Sequence, residues 1–302
     1  MQTEFDFEEI KDIVQLAIKE DIGTGDITSK IFIPEGSESN GILIAKETGI
    51  IAGWPVVEYV LSQIDKDLLF TVNIEDGSRV EKGTVIASVK GLTLSVLSAE
   101  RLVLNFLQRL SGIATETYKF AEKIKGYKTQ ILDTRKTTPG WRYLEKYAVK
   151  TGGGGNHRMG LYDQILIKDN HLKIMESEKE RGDIGRLVKK AREQIADGVL
   201  IEVEVEDLFQ IKDVMDAGVD IILFDNMAPS KINEAVEMVK EFENSRDAGT
   251  GRAILTEASG NITIENVEEY ARAGVDRISV GMITHSARAL DISFDIVNKV
   301  ML

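Results

Sequence analysis

The 302-residue sequence contains no cysteine, so it has no disulfide, no thiolate metal ligand and no cysteine nucleophile. It also lacks any run of 18 apolar residues, the length that a membrane-spanning helix requires. Its acidic first residues, MQTEFDFEEIKD, are unlike a secretory signal peptide. These absences predict a cytoplasmic protein with no membrane partner.

Basic residues are scarce, with 37 Lys and Arg against 50 Asp and Glu and a formal net charge of −13. This charge argues against nucleic acid or an anionic membrane as the main partner. The exception is the segment 132–171, which has seven basic residues and four acidic ones. A cationic segment in an acidic protein indicates a small anionic ligand.

The first third of the chain predicts a small β-rich domain. Residues 7–20 repeat apolar positions at helical spacing, and residues 41–97 form short β-like runs, ILIAKE, LLFTVNI, VIASVKG and LTLSVL. The stretch VNIEDGSRVEKGTVIASVKG is similar in cadence to a biotinyl or lipoyl hairpin. No lysine occupies its turn, so we expect a structural domain and not a carrier. Ser98 predicts the N-cap of a helix that runs to about Lys125.

Beyond that helix, β-rich runs alternate with helical segments. The runs are TQILDTRK, DQILIKDNH, VLIEVEVE, VDIILFDN, RAILTEASG and VDRISVGM. Alternation at this spacing predicts a parallel sheet with right-handed crossovers, either open or closed into a barrel. Each run ends in a polar cluster, and the three histidines, His157, His171 and His285, lie in or beside such clusters. In a (β/α) barrel this rim carries the active site.

The forty residues LDTRKTTPGWRYLEKYAVKTGGGGNHRMGLYDQILIKDNH closely resemble the quinolinate phosphoribosyltransferase family. The resemblance extends to EDIGTGDIT and SAERLVLNFLQRLSGIAT before them, and to EVEVE, LFDN, EASGNI and SVGMITHS after them. It therefore covers nearly the whole chain.

The resemblance implies an α/β protein with two domains. A C-terminal (β/α) barrel-like domain, whose barrel need not close, spans residues 113–285. A smaller N-terminal α+β sandwich domain spans 1–112, and the segment 286–302 packs back on it. The resemblance further implies a homodimer with active sites shared across the interface, and it allows a hexamer.

The reaction that the resemblance implies joins quinolinate to 5-phosphoribosyl-1-pyrophosphate with Mg2+ as cofactor. The ring nitrogen attacks the anomeric carbon, pyrophosphate leaves, and the 2-carboxylate is lost as CO2. The product is nicotinate mononucleotide, on the de novo route to NAD.

Cations in the motif suit these anionic substrates, because arginine binds carboxylates bidentately and lysine acts as a point charge. By resemblance Arg101, Arg135, Arg158 and Lys168 hold quinolinate, with His157 beside them. Lys136 lies nearer the pyrophosphate as a catalytic residue, and Thr134 also binds substrate.

Two carboxylates, Glu204 and Asp225, are the catalytic residues expected to serve the metal and the ribose. Alternation in IEVEVE places Glu202, Glu204 and Glu206 on one face, so Glu204 is selected by resemblance alone. Hard oxygen ligands suit Mg2+ that bridges a diphosphate, whether the carboxylates touch the ion directly or through water. Backbone amides for the 5-phosphate are expected at two strand ends, in Ser259, Gly260 and Asn261 and in Gly281, Met282 and Ile283.

The four glycines of TGGGGNHR form neither a Walker loop nor a dinucleotide fingerprint, because GK[ST] and GxGxxG are both missing. We interpret them as residues that permit positive φ and close approach, and so present His157 and Arg158 to quinolinate.

Arg101 adds a local conflict. With Ser98 as N-cap it occupies the third helical position, where the helix dipole disfavours a cation. In the resembled family the matching arginine reaches into the partner's barrel.

Three alternatives stay open. Lys168 could form a Schiff base in a barrel aldolase or decarboxylase. The chain could instead resemble a molybdenum-transport accessory protein, although the intact TRKTTPG, GGGGNHR and LIKDNH favour the enzyme. A nicotinate phosphoribosyltransferase would handle a monocarboxylate, and charge counting alone does not separate it from the dicarboxylate enzyme.

Overall fold

The computed structural model describes residues 5–168, 170, 171, 174, 184–245 and 253–297. The chain divides into two compact units. The first comprises residues 1–118, 137–153 and 283–302, and the second comprises 119–136 and 154–282. Four parts of the segments discussed above lie outside the described residues: the first four residues, Asp169 of LIKDNH, Arg252 of RAILTEASG and the last five residues.

The first half of the chain, up to Thr151, contains helices α1 to α5 and strands β1 to β6. The helices are α1 (Glu8–Asp21), α2 (Ile27–Phe32), α3 (Trp54–Ile64), α4 (Thr93–Lys123) and α5 (Arg142–Thr151). The strands are β1 (Glu38–Ala45), β2 (Gly49–Ile50), β3 (Leu69–Val72), β4 (Arg79–Val80), β5 (Val85–Leu92) and β6 (Gln130–Leu132).

The remaining elements continue the strand–helix alternation that the sequence predicts. The strands are β7 (Ile165–Ile167), β8 (Ile201–Val205), β9 (Ile221–Asp225), β10 (Leu255–Ser259), β11 (Arg277–Ser279) and β12 (Ile292–Val297). The helices are α6 (Ile184–Gln194), α7 (Ile211–Asp216), α8 (Pro229–Ser245), α9 (Val267–Arg272) and α10 (Met282–His285), with a 3-10 turn at Leu208–Gln210.

The first unit contains an antiparallel sheet in the order β12–β1–β5–β3. One face of this sheet is buried, because Leu43 and Ala87 are register partners and both are fully enclosed. The C-terminal strand pairs Asn40–Ala45 with Ile292–Val297, so the end of the described chain joins the same sheet as its beginning.

Helix α4 corrects the sequence prediction at its start. The run LTLSVL was predicted to be a strand and Ser98 an N-cap, but the helix begins at Thr93. The alternation was misleading because Leu92 and Leu94 are exposed, whereas Val96, Ala99 and Val103 are buried at helical spacing. Those positions belong to one helical face.

The earlier start also removes the argument made for Arg101. This arginine is the ninth residue of α4 and not the third, so it lies beyond the first turn, where the helix dipole acts. Any role of Arg101 must be argued from its exposure and not from a local conflict.

The second unit is a six-stranded parallel sheet in the order β6–β11–β10–β9–β8–β7, as expected for a (β/α) barrel-like domain. Among the described residues, no pairing joins β6 to β7, the two end strands of this sheet. Only Gly155 continues the sheet past β6, through an isolated parallel bridge to Leu132. The barrel therefore stays incomplete at this seam, which is the variant that the resemblance allowed.

The predicted domain boundary at residues 112 and 113 falls inside α4. Residues 113–118 and 137–153 group with the first unit. The units are therefore interleaved along the chain, and no single boundary in the sequence separates them. Among the described helices, none combines the length and hydropathy needed to cross a bilayer.

Gly112 generates a stability prediction within the first unit. A Cβ added there would lie 2.0 Å from the carbonyl oxygen of Arg288. Gly112→Ala should therefore lower the free energy of unfolding by about 1–3 kcal/mol, although alanine is the better helix former. Urea unfolding measures this change.

Gly126→Ala is the matched control, because nothing lies within 4 Å of the added Cβ and its φ is not positive. Equal stability of the two variants would contradict the close packing of α4 against the segment that precedes β12.

Candidate active site

The ends of the parallel strands bring most predicted site residues to one edge of the second unit. Thr134, Arg135 and Lys136 follow β6, and Lys168 follows β7. Glu204 lies near the end of β8, while Asp225 and Ser259 are the last residues of β9 and β10. The second unit also holds the following site residues: His157, Arg158, Gly260, Asn261, Gly281 and Met282.

Two predicted residues belong to the first unit. Arg101 lies on α4 with 61% of its side chain exposed, and its guanidinium is 3.8 Å from the carboxylate of the adjacent Glu100. Ile283 begins the first-unit segment that follows the barrel, and its side chain is fully buried.

The glycine run is explained by the contacts of its members. A Cβ on Gly152 would lie 2.4 Å from the carbonyl oxygen of Ala114, and Gly153 has a φ of +90°. A Cβ on Gly155 would lie 2.7 Å from both Gln130 Nε2 and Leu132 Cδ2. The prediction that these glycines serve positive φ and close approach is confirmed.

The buried Asp133 fixes the segment that follows the glycines. Its Oδ1 accepts the backbone N–H of His157 at 2.9 Å, and its Oδ2 accepts the Asn156 amide at 2.6 Å. Asp133 itself begins the DTRK cluster after β6. One carboxylate therefore ties the DTRK cluster to the NHR segment.

The two arginines of the motif repel each other. Burial lowers the pKa of the half-buried Arg158, and the nearby charge of Arg135 lowers it further, whereas Glu202 and Asp163 act in the opposite direction. Arg158 remains a cation at neutral pH despite this lowering, because the guanidinium keeps its proton in proteins. Two guanidinium groups that are this close produce a site that favours an anion.

Lys168 and Glu204 form an ion pair between Nζ and Oε2, with Lys168 partly exposed and Glu204 7% exposed. Every residue of β8 is buried, Glu202 and Glu204 among them, whereas Glu206 follows the strand and is exposed. Glu204 is thus a nearly enclosed carboxylate beside a cation.

Asp225 lies on the strand next to Glu204. Glu204 is the register partner of Leu223, so Asp225 lies two residues further along and on the same face. Oxygen donors on adjacent strands suit a magnesium ion that takes its other ligands from a diphosphate and water. The residues present therefore fit the metal that the sequence predicts.

Asn226 is a residue that sequence reasoning missed. It donates from Nδ2 to Asp225 Oδ2 at 2.7 Å and from its backbone N–H to the Ser259 carbonyl at 2.9 Å. Its own Oδ1 accepts the Asn261 amide at 3.0 Å. Asn226 therefore joins the acidic end of β9 to the loop after β10.

Among the described non-glycine residues, only Asn226 and Asn261 have positive φ, at 54° and 52°. Gly260, between the two asparagines in space, would bring a Cβ to 2.3 Å from Asn226 Oδ1. Backbone strain of this kind concentrates at functional sites. The sequence did contain a signal for these positions, because an asparagine lies just after β9 and another just after β10. Asparagine tolerates the left-handed region better than most residues.

Two further carboxylates that sequence reasoning missed lie inside the barrel. Glu202 and Glu257 are fully buried, and their oxygens are 3.2 Å and 3.5 Å from His157 Nε2. Burial and the neighbouring Glu202 raise the pKa of Glu257 to about 7, although His157, the Ser279 hydroxyl and Arg277 oppose the shift. The sequence signal was an acidic residue in the middle of each strand, where apolar residues are usual.

Comparisons with known proteins agree with this geometry. Residues 26–111 match the family model described as quinolinate phosphoribosyl transferase, N-terminal domain, and residues 113–295 match the one described as its C-terminal domain. Together these matches cover most of the chain. The chain belongs to the quinolinate phosphoribosyltransferase family.

Individual relatives of this quinolinate phosphoribosyltransferase family member span nearly its whole length. A probable nicotinate-nucleotide pyrophosphorylase (carboxylating) from Bacillus subtilis is 42% identical over 95% of this chain and 93% of its own length. The nicotinate-nucleotide pyrophosphorylase (carboxylating) of Mycobacterium leprae is 37% identical over 98% of this chain and 100% of its own.

A solved structure shares the fold. The nicotinate-nucleotide pyrophosphorylase of Francisella tularensis aligns with a TM-score of 0.85 and 36% identity, over 96% of both chains. The fold of this family member is therefore shared with a solved structure over nearly the full length of both chains.

The raised pKa of Glu257 predicts a pH-dependent effect of Glu257→Gln. The folded protein keeps a proton on Glu257 up to about pH 7, whereas the unfolded chain loses it near 4.5. Wild-type stability should therefore fall as pH rises between these values, and the variant should lack this contribution. Relative to wild type, the variant should gain at most about 3 kcal/mol between pH 4.5 and pH 8.

Denaturant unfolding of both proteins at pH 5 and pH 8 measures this difference. Glu234→Gln on the exposed surface of α8 is the control for loss of a carboxylate. A stability difference for Glu257→Gln that is the same at both pH values would contradict the assigned protonation of Glu257.

Proposed function

We propose that this chain transfers the phosphoribosyl group of 5-phosphoribosyl-1-pyrophosphate to quinolinate with decarboxylation, in de novo NAD biosynthesis. The products are nicotinate mononucleotide, pyrophosphate and CO2. Family membership supports this reaction. The observation that carries the assignment of the site is that one edge of the barrel holds motif cations beside the carboxylates Glu204 and Asp225.

Quinolinate is a dianion, and the cations Arg135, Arg158 and Lys168 are its proposed binding residues. Guanidinium groups bind carboxylates through two parallel hydrogen bonds, which fixes the plane of the pyridine ring. Thr134 belongs to the same turn, where its hydroxyl accepts the backbone N–H of Lys136 at 3.0 Å. This hydrogen bond fixes the turn from which Lys136 is proposed to reach the pyrophosphate.

The carboxylates Glu204 and Asp225 are assigned to the ribose and the metal. When bound, Mg2+ would neutralise charge on the pyrophosphate leaving group and orient it. The carboxylates stabilise the positive charge that develops on the ribose as the bond from C1 to the pyrophosphate oxygen breaks. Asn226 orients Asp225 for this task through its hydrogen bond.

The 5-phosphate is assigned to the loops after β10 and β11. Ser259, Gly260 and Asn261 offer backbone N–H groups in the first loop, and Gly281, Met282 and Ile283 offer them in the second. Backbone amides suit phosphate because they donate without adding charge. The left-handed conformations of Gly260 and Asn261 turn the chain sharply at this position.

The chemistry then needs no general base in its first step. The ring nitrogen of quinolinate donates its electron pair to C1, and the C1–O bond electrons leave with pyrophosphate. The ring nitrogen becomes positively charged, and it accepts the electron density left at C2 when the 2-carboxylate departs as CO2. A proton from water replaces the carboxylate at C2.

The Schiff-base alternative is disfavoured by the contact of Lys168. A lysine nucleophile must be neutral, whereas the ion pair with Glu204 stabilises the ammonium form. We therefore assign Lys168 as a cation that binds carboxylate. An adduct on Lys168 after borohydride treatment with a carbonyl substrate would support the alternative.

We also propose a homodimer in which Arg101 completes the quinolinate site of the partner subunit. The support is that Arg101 projects from α4 into solvent, and its pairing with Glu100 leaves most of the guanidinium exposed. An exposed ion pair contributes little stability, so exchanging the contact with Glu100 for one across an interface would cost little free energy.

The first prediction concerns substrate choice. If the cations bind both carboxylates, quinolinate should bind more tightly than nicotinate by roughly 10- to 150-fold, which corresponds to the loss of one charged hydrogen-bonded contact. Isothermal titration calorimetry measures both affinities. Equal affinity for the two ligands would contradict the assignment and would favour a nicotinate phosphoribosyltransferase.

The second prediction concerns the carboxylates. Glu204→Gln and Asp225→Asn should each lower kcat with 5-phosphoribosyl-1-pyrophosphate by about 100-fold or more, because each removes charge stabilisation from the transition state. Quinolinate affinity should stay within a fewfold of wild type. Glu234→Gln serves as the surface control, and wild-type turnover with unchanged Mg2+ dependence in both variants would refute their assignment.

The third prediction concerns Arg101. Arg101→Ala and Arg135→Ala should each be inactive alone. After subunit exchange, a mixed dimer would have one site with both lesions and one with neither, so up to half of the wild-type activity per dimer should return. If exchange is verified with tagged subunits and no activity returns, the site is not shared.

A further inference from the structure

The imidazole of His157 uses both of its nitrogens inside the protein. Nδ1 accepts the backbone N–H of Arg158 at 2.7 Å. Nε2 lies 3.2 Å from Glu202 Oε2 and 3.5 Å from Glu257 Oε1. The side chain is only 9% exposed, so little of the ring is accessible to a ligand.

These contacts determine the tautomer. A neutral imidazole has one nitrogen that donates and one that accepts. Because Nδ1 accepts a backbone N–H, it carries no proton, and the proton must be on Nε2. The acceptors that face Nε2 are two buried carboxyl groups, which agrees with an Nε2–H donor.

The same tautomer argues against a metal ion at this cluster. The ligand atoms of His157, Glu202 and Glu257 lie within 4.8 Å of one another, which is close enough for a single ion. A metal at Nε2 would require the proton on Nδ1, and metal-binding histidines usually donate from that other nitrogen. Here Nδ1 is an acceptor, so His157 lacks the proton arrangement of a metal ligand.

The contacts around His157 close into a ring that includes both ends of Arg158. Gln164 Nε2 donates to Glu202 Oε2 at 2.5 Å, and the Gln164 carbonyl accepts from Arg158 Nη1 at 3.1 Å. The backbone N–H of Arg158 donates to His157 Nδ1, and His157 Nε2 lies 3.2 Å from Glu202 Oε2. Each member of this ring therefore restricts the orientation of the Arg158 guanidinium.

We propose that His157 is a positioning residue and not a quinolinate contact, held by Glu202 and Glu257 so that it orients Arg158. This inference rests on the proposed function, because it assigns Arg158 to quinolinate. It changes the role that the sequence resemblance gave to His157. It also gives a role to Glu202 and Glu257, which the proposed reaction does not otherwise use.

Burying these carboxyl groups costs stability, which is a reason to expect that they have a functional role. Glu202 Oε1 is buried and has no hydrogen-bond partner among the described residues, and Glu257 is fully buried 3.5 Å from the His157 imidazole. Buried carboxylates without full pairing destabilise a fold, and apolar residues of similar volume would usually be more stable there. Local rules are broken in this way mainly at functional positions.

The first test is the tautomer of His157 in the ligand-free protein. The sequence has three histidines, so long-range 1H–15N spectra of histidine-labelled protein, with His157→Gln for assignment, resolve each ring. The Nε2–H neutral form at pH 7, unchanged when quinolinate is added, is the expected result. A protonated Nδ1, or loss of the Nε2–H form on quinolinate binding, would overturn the proposal.

The second test separates positioning from packing. Glu257→Gln keeps an acceptor oxygen near Nε2, whereas Glu257→Leu keeps the volume and removes the acceptor. Glu257→Leu should raise the KM for quinolinate about tenfold or more, as expected when an oriented charged contact is lost. The KM for 5-phosphoribosyl-1-pyrophosphate should change less than about twofold, and Glu257→Gln should stay within about threefold of wild type for both substrates.

Equal KM values for quinolinate in folded Glu257→Leu and in wild type would overturn the proposal. If Glu257→Leu does not fold, the tautomer measurement on the wild-type protein still decides. If the wild-type protein forms no nicotinate mononucleotide, the proposed function fails, whereas the tautomer of His157 is read from the ligand-free protein and is independent of that outcome.

Discussion

The constraint on which this structure depends is the mutual repulsion of cations gathered to bind a dianion. Burial lowers the pKa of Arg158, and the nearby charge of Arg135 lowers it further. The chain balances this charge from within, through Glu204 beside Lys168 and Glu202 behind Arg158. Without a ligand, the cations of such a site need carboxylates close by to offset their repulsion. The site still attracts an anion when those carboxylates do not face the ligand.

The parallel sheet makes this balance feasible. Successive strand ends lie at one edge, so basic residues after β6 and β7 meet acidic residues of β8 and β9 without long connecting loops. At the β6 edge of the sheet, Gly155 of the glycine run forms a parallel bridge to Leu132. The glycines permit this segment to approach the sheet, and Asp133 then fixes the direction of His157.

The sequence predicts much of this architecture because its signals are local. Each parallel strand is a short apolar run that ends in a polar cluster, and such runs locate β6 to β11 correctly. The start of α4 was predicted wrongly because LTLSVL alternates like a strand, and only tertiary burial of Val96 and Ala99 shows its helical face. Periodicity alone does not resolve a six-residue apolar run.

The residues that support the site were harder to predict. Asn226 and Glu257 act through partners that are distant in sequence, Asn261 and His157, so no local pattern marks them. The ring through His157, Glu202, Gln164 and Arg158 likewise depends on how β7 and β8 lie beside the NHR segment. Such contacts are determined by strand register and barrel stagger, which local sequence patterns do not specify.

The most direct test of the account is the stoichiometry of the reaction with quinolinate labelled at its 2-carboxylate. Purified protein is incubated with labelled quinolinate, 5-phosphoribosyl-1-pyrophosphate and Mg2+, and labelled CO2, pyrophosphate and nicotinate mononucleotide are measured together. The account predicts that the three products form in equal amounts and that none forms when either substrate is omitted. Release of CO2 without nicotinate mononucleotide, or no turnover by folded protein, would contradict it.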